Sequence, residues 1–147
     1  MKTRRTPWLI AAALALSALH LRTAAAAPPY NPTIDPANFS TEVNNPYLTL
    51  TPGTTYTYKS HGKGGTEINK VIVTNQTRRV MGVTTRVVWD RVWLNDQLIE
   101  ETYDWYAQDK EGNVCYFGED SKADRKGRPA GTEGSWEAGV DGAKRGS

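Results

Sequence analysis

Runs of β-branched and aromatic residues, separated by turn residues, constrain the fold of this chain more than any other feature. Five such runs follow one another at residues 55–59, 67–74, 84–94, 97–108 and 113–117. Runs of this composition, bounded by Gly, Asn and Asp, are typical of β-strands. No segment shows the sustained period of about 3.6 residues that an amphipathic helix requires. The sequence therefore predicts a mainly β protein, built on an antiparallel β-meander of about five strands over residues 54–119.

Two of the predicted turns have a clear residue signature. Asn95-Asp96 suits a two-residue hairpin turn, because both residue types tolerate a positive φ better than most. Asp109-Lys110-Glu111-Gly112 suits a four-residue hairpin loop with Gly112 in the left-handed conformation. A third connection is Gly-rich, at residues 62–65.

The Asn95-Asp96 turn sets an expected register and, through it, two expected faces. Facing pairs are expected to be Leu94 with Gln97, Val92 with Ile99, Arg91 with Glu100, Asp90 with Glu101, and Val88 with Tyr103. The predicted core face carries Val88, Val92, Ile99, Tyr103, Trp105, Val114 and Tyr116. The opposite face is expected to carry Trp89, Trp93, Leu98, Tyr106 and Phe117, mixed with Arg91, Glu100, Asp104 and Glu119.

Segments of different composition flank the predicted sheet. Residues 27–53 hold six of the eight prolines, which predicts an extended arm with turns. Its apolar side chains, which we expect to pin it against the sheet, are Phe39, Val43, Tyr47, Leu48 and Leu50. Residues 118–147 hold seven of the 13 glycines and few large apolar side chains, so a mobile tail is predicted from residue 120 to residue 147.

The N-terminal residues 1–26 have the order of a secretory signal peptide. Lys2, Arg4 and Arg5 precede an apolar stretch, and the alanines at 24–27 suit cleavage. The apolar stretch of 14 residues (8–21) is shorter than the roughly 20 residues that span a bilayer as a helix. Cleavage would remove four of the 18 Lys and Arg and none of the 16 Asp and Glu, leaving a net charge of −2. We therefore expect an extracytoplasmic protein, secreted or periplasmic, with no stable membrane span and no affinity for nucleic acid.

Two longer motifs and one short one carry a resemblance. The motifs are YDWYAQDKEGNVCYFGE at residues 103–119, GSWEAGVDGA at residues 134–143, and Tyr30-Asn31-Pro32. Together they resemble a family of uncharacterised exported bacterial proteins. The resemblance implies a bacterial, extracytoplasmic origin and brings no activity or site residue. Its relatives carry Trp in place of Cys115 and continue past the second motif, which implies that this chain is truncated or frame-shifted near Lys144.

Candidate catalytic and metal-binding residues are few. Asp90 and Glu101 are expected to face each other, and two carboxylates in a low dielectric split their pKa values as an acid–base pair does. The alternatives are that Arg86 or Arg91 neutralises them, or that they lie at a solvated rim. Glu100, Glu101 and Asp104 offer a weak signal for a hard cation such as Ca²⁺. A single Cys and two His cannot build a typical zinc site. We expect His61 to be an exposed loop residue and Cys115 a buried one.

The aromatic residues supply the main functional expectation. Trp89, Trp93, Tyr106 and Phe117 are predicted to line a ligand-binding surface on the mixed face. The alternative, which residue statistics favour, is a sheet core whose second face is covered by the arm or by a missing C-terminal part. The sequence thus favours a non-enzymatic envelope or secreted binding module, whose partner is a small molecule or an envelope component, without cofactor or metal. The alternatives are a hydrolase that uses Asp90 and Glu101, and a truncated relative without function.

Overall fold

A computed structural model describes residues 29–123, 131 and 134–146 of the chain. Over these residues the protein is mainly β and antiparallel, as predicted, and contains no α-helix. The predicted signal peptide lies outside the described residues, and no helix within them is long and apolar enough to cross a membrane. A 3₁₀ turn at Pro36–Asn38 precedes the strands, which are β1 Phe39–Ser40, β2 Val43–Asn45, β3 Leu48–Leu50, β4 Thr55–Gly62, β5 Gly65–Val80, β6 Val83–Leu94, β7 Gln97–Asp109, β8 Val114–Ala123 and β9 Trp136–Glu137.

Strands β4 to β8 form the predicted five-stranded meander, in which each strand pairs with the next one along the chain. β9 extends this sheet beyond β8, and β1 pairs with the end of β7. Strands β2 and β3 form a separate two-stranded hairpin. Both turn predictions are confirmed, since Asn95 and Asp96 have φ values of 50° and 65°, and Gly112 has a φ of 90°.

The β5–β6 connection was not predicted. β5 continues through residues 75–80, a polar stretch, and turns at Met81-Gly82, where both residues have positive φ. An irregularity between Val73 and Thr77 shifts the register within this strand. This part of β5 could not be predicted from the sequence, because residues 74–79 are polar and only Val80, at the end of the strand, is buried.

The predicted register of the β6–β7 hairpin is correct at its tip and wrong beyond it. Leu94 pairs with Gln97, and Trp93 pairs with Leu98. A β-bulge then leaves Ile99 without a partner, so that each later pair is displaced by one residue. Arg91 consequently pairs with Glu101 rather than with Glu100. The other pairs are Val92 with Glu100, Asp90 with Thr102, and Val88 with Asp104.

A second bulge, at Phe117 between β7 and β8, also interrupts the alternation. Trp105 pairs with Gly118, whereas Tyr106 pairs with Tyr116. The bulge at Ile99 displaces the rest of β7 by one residue, so that its side chains lie on the opposite face of the sheet from the one expected relative to β6. The two predicted faces are therefore wrong. The hairpin face, so named here, carries Val73, Val88, Asp90, Glu100, Asp104, Tyr106, Tyr116 and Glu119; the tryptophan face carries Val87, Trp89, Arg91, Trp93, Glu101, Tyr103, Trp105 and Asp120.

Each face is partly covered by a different segment. On the tryptophan face, Val80, Val83, Val87, Trp105, Ala107, Cys115, Phe117 and Ala138 form a buried cluster, against which Ile34 and Phe39 of the arm pack. On the hairpin face, Val43 and Leu50 of the β2–β3 hairpin pack against Val73 and Val88. The arm therefore contacts both faces of the sheet. Tyr47 and Leu48 do not pin it, because they are 96% and 41% exposed.

Part of the predicted mobile tail belongs to the sheet. β9 pairs with β8, and Ala138 is buried in the cluster on the tryptophan face. Gly146 forms an isolated bridge with Tyr116. The contribution of residues 134–146 to the sheet was not predicted, whereas residues 124–130, 132, 133 and 147 lie outside the described part of the chain.

Candidate functional site

A cavity of about 280 Å³ lies between the β2–β3 hairpin and the hairpin face of the sheet. Ligand pockets usually have volumes of roughly 300–1,000 Å³, so this cavity suits a small ligand. Aromatic and aliphatic side chains predominate in its lining. The lining residues are Tyr47, Leu48, Thr49, Leu50, Tyr56, Tyr58, Val71, Val88, Asp90, Asp104 and Tyr106.

Hydrogen bonds hold the hairpin over the sheet. The side-chain oxygen of Gln108, on β7, accepts from the backbone amides of Asn44 and Asn45, both at 2.9 Å. The Asn45 amide group donates in turn to the carbonyl of Gly112 at 2.8 Å. On the other strand of the hairpin, the Tyr56 hydroxyl donates to the carbonyl of Thr49 at 2.7 Å. The roof of the cavity is therefore held by polar contacts of both its strands and by the packing of Val43 and Leu50.

Tyrosine rings form much of the cavity wall. Tyr56 is half-buried, whereas Tyr58 is 59% exposed and stands at the opening. Tyr106 stacks on Tyr116 with ring centroids 4.8 Å apart, which fixes its orientation. Burial, and then the neighbouring carboxylates of Asp104 and Glu119, raise the pKa of the Tyr106 hydroxyl. These rings present apolar faces, and each has a hydroxyl that can donate or accept a hydrogen bond.

Two carboxyl groups lie among the rings, one on each of two neighbouring strands. Asp104 is only 8% exposed, and its carboxyl accepts from the Tyr116 hydroxyl at 2.5 Å. Burial raises the pKa of Asp104 to about 6. The hydrogen bond from Tyr116 lowers this pKa, and the negative charge of Glu119 raises it by a smaller amount than burial does. Burial likewise raises the pKa of Asp90, although the Asn69 amide donates to that carboxyl at 2.5 Å.

The Tyr116 hydroxyl connects the cavity to a further carboxylate. It lies 2.7 Å from Glu119 as well as within hydrogen-bond distance of Asp104. A hydroxyl has one proton and can donate to one acceptor at a time. Asp104 and Glu119 are direct cross-strand neighbours, so their negative charges repel each other. A proton or a cation bound between them would relieve this repulsion.

The residues predicted as an acid–base pair do not meet. Asp90 lines the cavity on the hairpin face, whereas Glu101 lies on the tryptophan face. There Glu101 accepts from the Trp89 indole at 3.1 Å and forms an ion pair with Arg91, with a separation of 3.7 Å. The prediction that these two carboxylates face each other is wrong because the bulge at Ile99 displaces β7 by one residue.

The four aromatic residues predicted to bind a ligand are also not on one surface. Tyr106 lines the cavity. Trp89 and Trp93 lie on the tryptophan face, where the Arg91 guanidinium sits between them, 4.5 Å and 4.7 Å from the ring centroids. Phe117 is fully buried and makes an edge-to-face contact with Phe39. Of the four, only Tyr106 borders the cavity.

The other two candidates lie away from the cavity. Cys115 is buried, as predicted, and the Arg145 guanidinium lies 2.9 Å from its sulfur. Burial raises the pKa of this thiol, outweighing the nearby Arg145 charge. His61 is exposed, as predicted, but it belongs to β4 rather than to the loop, and it contacts the Thr66 hydroxyl at 3.0 Å.

The sequence singled out Asp104 only as a weak cation ligand together with Glu100 and Glu101, and its burial was not predicted. In the structure Asp104 is 8% exposed and shares the hairpin face with Glu100, whereas Glu101 lies on the tryptophan face. The position of Asp104 in the alternating run from Tyr103 to Tyr106 indicates burial only once the bulge is known. Within residues 29–123, 131 and 134–146, no group of three or more His, Cys, Asp or Glu side chains is arranged to hold a metal ion. Comparison with family models, curated proteins and solved structures gives no match.

Proposed function

We propose that this chain is an exported, non-enzymatic binding module that takes a small molecule in the cavity between the β2–β3 hairpin and the sheet. The observation that carries the proposal is the cavity itself, about 280 Å³ in volume, with tyrosine and aliphatic walls around two carboxyl groups. An apolar pocket with a few converging polar groups is the usual form of a small-molecule site. The proposed site therefore differs from the aromatic surface predicted from the sequence, since Tyr106 is the only one of those four residues that lines the cavity.

The rigidity of the roof supports binding rather than transient exposure of a core. Hydrogen bonds that involve Gln108, Asn45 and Tyr56 hold both strands of the hairpin. A site whose walls are fixed before the ligand arrives loses less conformational entropy on binding. The extracytoplasmic location is supported by the order of basic, apolar and small residues over 1–27 and by the resemblance to exported bacterial proteins.

A cavity-filling substitution tests this proposal. Val71→Trp places a large ring in the cavity, because Val71 lines it and is only half-buried. Ile72→Trp is the matched control, since the neighbouring residue of the same strand faces the other side, opposite Trp89. Small aromatic and aliphatic fragments would be screened against the purified protein by saturation-transfer NMR. We expect fragment signals that Val71→Trp abolishes and Ile72→Trp retains, with both variants folded by circular dichroism.

Two results would count against the proposal. One is a screen in which no fragment gives a signal with the wild-type protein. The other is a set of fragments whose signals survive Val71→Trp but disappear in Ile72→Trp, since these would bind on the tryptophan face.

A further inference from the structure

We infer that the cavity is selective for an organic cation, an ammonium group attached to a small apolar or aromatic body. This inference rests on the proposed function, because it names the class of ligand that the same cavity takes. It goes beyond it in assigning the polar end of the ligand to the carboxyl groups of Asp90 and Asp104, and the apolar end to the tyrosine and aliphatic walls.

The charged residues that line the cavity are all acidic. The lining contains Asp90 and Asp104 and no Lys, Arg or His. The two ion pairs among the described residues, Arg78–Glu137 and Arg91–Glu101, involve neither cavity carboxylate. A buried carboxylate is costly unless it is paired or protonated. A cationic ligand would supply the missing partner.

The surroundings of the cavity reinforce this imbalance. Two further carboxylates, Glu100 and Glu119, lie on the same sheet face as Asp90 and Asp104. The negative charge of Glu100 acts on Asp90, and that of Glu119 acts on Asp104. Lys70 and Arg91 are cross-strand neighbours on the tryptophan face, so that the sheet separates them from the cavity. Arg86 lies on the hairpin face opposite Tyr106, but its guanidinium donates to the carbonyl of Thr74 at 3.4 Å and it does not line the cavity. A surface of one sign of charge concentrates ligands of the other sign.

The aromatic lining of the cavity also favours a cation. Tyr56, Tyr58 and Tyr106 border the volume in which a ligand would lie. An ammonium group within about 6 Å of a tyrosine ring face is attracted to it, and groups of aromatic rings are a recurrent way to bind such cations. The same rings would repel an anion, whose charge would also meet Asp90 and Asp104.

The composition of the lining favours an organic cation over a metal ion. Two carboxyl groups among apolar walls supply fewer oxygens than the six to eight that Ca²⁺ takes. No metal-holding group is found among the described side chains. The aliphatic residues Leu48, Leu50, Val71 and Val88 instead fit the hydrocarbon part of an organic ligand.

A charge series of three probes with the same phenyl group tests the inference. The probes are 2-phenylethylammonium, 2-phenylethanol and phenylacetate, titrated into the purified protein by calorimetry at pH 7. We expect the cation to bind at least about tenfold more tightly than the alcohol, the gain for a hydrogen bond to a charged group, and the anion not to bind.

Substitutions then locate the effect. Asp104→Asn and Asp90→Asn each keep a carbonyl oxygen for the Tyr116 hydroxyl or the Asn69 amide, while they remove one charge. Each should weaken the cation about tenfold and leave the alcohol unchanged. Asp120→Asn is the control, because it removes an equal charge from the opposite face of the sheet, where Asp120 pairs with Tyr103. It should leave the preference for the cation intact.

The outcomes separate this inference from the proposed function. Equal binding of all three probes, or a preference for phenylacetate, would overturn the inference and leave the binding module standing. Absence of binding by all three, together with a negative fragment screen, would overturn both. A cation preference that Asp120→Asn removes as strongly as Asp104→Asn would assign it to the net charge of the protein and would also overturn the inference.

Discussion

At the scale of single residues, Asp104 determines much of the chemistry of the cavity. It lies on β7, between β6 and β8, with 8% of its surface exposed, and its neighbours on the same face include Asp90, Glu119, Tyr106 and Tyr116. Arg86, a cation on this face, lies opposite Tyr106 and donates to the carbonyl of Thr74 rather than to Asp104. The buried carboxyl therefore holds its proton more firmly than a solvated one, and its pKa rises from 3.8 to about 6. Because the folded state prefers the protonated form, ionisation of Asp104 opposes folding.

The first prediction concerns pH. Since the folded pKa of Asp104 lies above its ordinary value, its contribution to stability is complete below about pH 4 and is lost as the pH rises through about 6. Asp104→Asn removes this ionisation and keeps an acceptor for Tyr116. The free energy of unfolding of Asp104→Asn, measured in urea, should therefore rise relative to wild type by on the order of 2–3 kcal/mol between pH 4 and pH 7. A difference that stays constant over this range would contradict the assignment.

At the scale of elements, two β-bulges and one hairpin create the site. The bulge at Ile99 brings Asp104 opposite Val88, on the face that the β2–β3 hairpin covers. The bulge at Phe117 allows β8 to present both the buried Phe117 ring and the Tyr116 hydroxyl. Bulges change which face a side chain occupies, so the site depends on them as much as on the strands.

A second prediction tests the hairpin as the roof. Leu50 is 2% exposed and packs in the cluster with Val43, Val73 and Val88, whereas Leu48 is 41% exposed. Leu50→Ala should lower the free energy of unfolding by about 2–4 kcal/mol, because it leaves a cavity in a packed cluster. Leu48→Ala, in the same short strand, should cost less than about 1 kcal/mol. Equal costs for the two variants in urea unfolding would show that the hairpin does not pack as described.

A third prediction tests the junction between β8 and β9. Gly118 has a φ of 138°, and a Cβ there would collide with the Trp136 backbone and lie 2.9 Å from the Glu137 Cα. Gly118→Ala should therefore cost about 2–4 kcal/mol of stability, from backbone strain and from displacement of β9. At Gly62 a Cβ meets nothing within 4 Å, so Gly62→Ala is the control and should be nearly neutral. If the two alanine variants unfold at the same urea concentration, β9 is not packed against β8 at Gly118.

Elements were more predictable from the sequence than their faces. The five strands of the meander and the turns at Asn95-Asp96 and Gly112 depend on local residue preferences, and the structure confirms them, whereas β1, β2, β3 and β9 were not predicted. The bulge at Ile99 has no such signature, because Leu98-Ile99-Glu100 reads as ordinary strand. That one residue separated Asp90 from Glu101 and moved Asp104 and Tyr106 away from Trp89 and Trp93. The packing of the β2–β3 hairpin on the sheet depends on contacts distant in sequence, such as Asn45 with Gln108, which a local pattern does not reveal.

At the scale of the whole molecule, a predicted signal peptide precedes a small sheet with a proposed ligand cavity. After removal of residues 1–26 the net charge is −2, and four carboxylates lie together on the hairpin face. The net charge expected after cleavage and the charge around the cavity therefore have the same sign. Both favour association with cationic ligands over anionic ones.

A fourth prediction concerns export. We expect bacterial cells that produce the full chain to release a form that begins near Ala27, because the alanines at 24–27 follow the apolar stretch. Intact-mass spectrometry of the soluble envelope or culture fraction measures this terminus. Intact Met1 material that remains in the membrane pellet, with none in the soluble fractions, would contradict export.

Intermolecular nuclear Overhauser effects locate the small cation that we propose to bind under the β2–β3 hairpin. With isotope-labelled protein and unlabelled 2-phenylethylammonium, we predict contacts from the ligand to the methyl groups of Leu50, Val71 and Val88, which line the cavity. Ile72, on the opposite face, should show none. Contacts to Ile72 and to the Trp89 and Trp93 rings, without contacts to Val71 or Val88, would place the ligand on the tryptophan face and show that it does not bind under the hairpin.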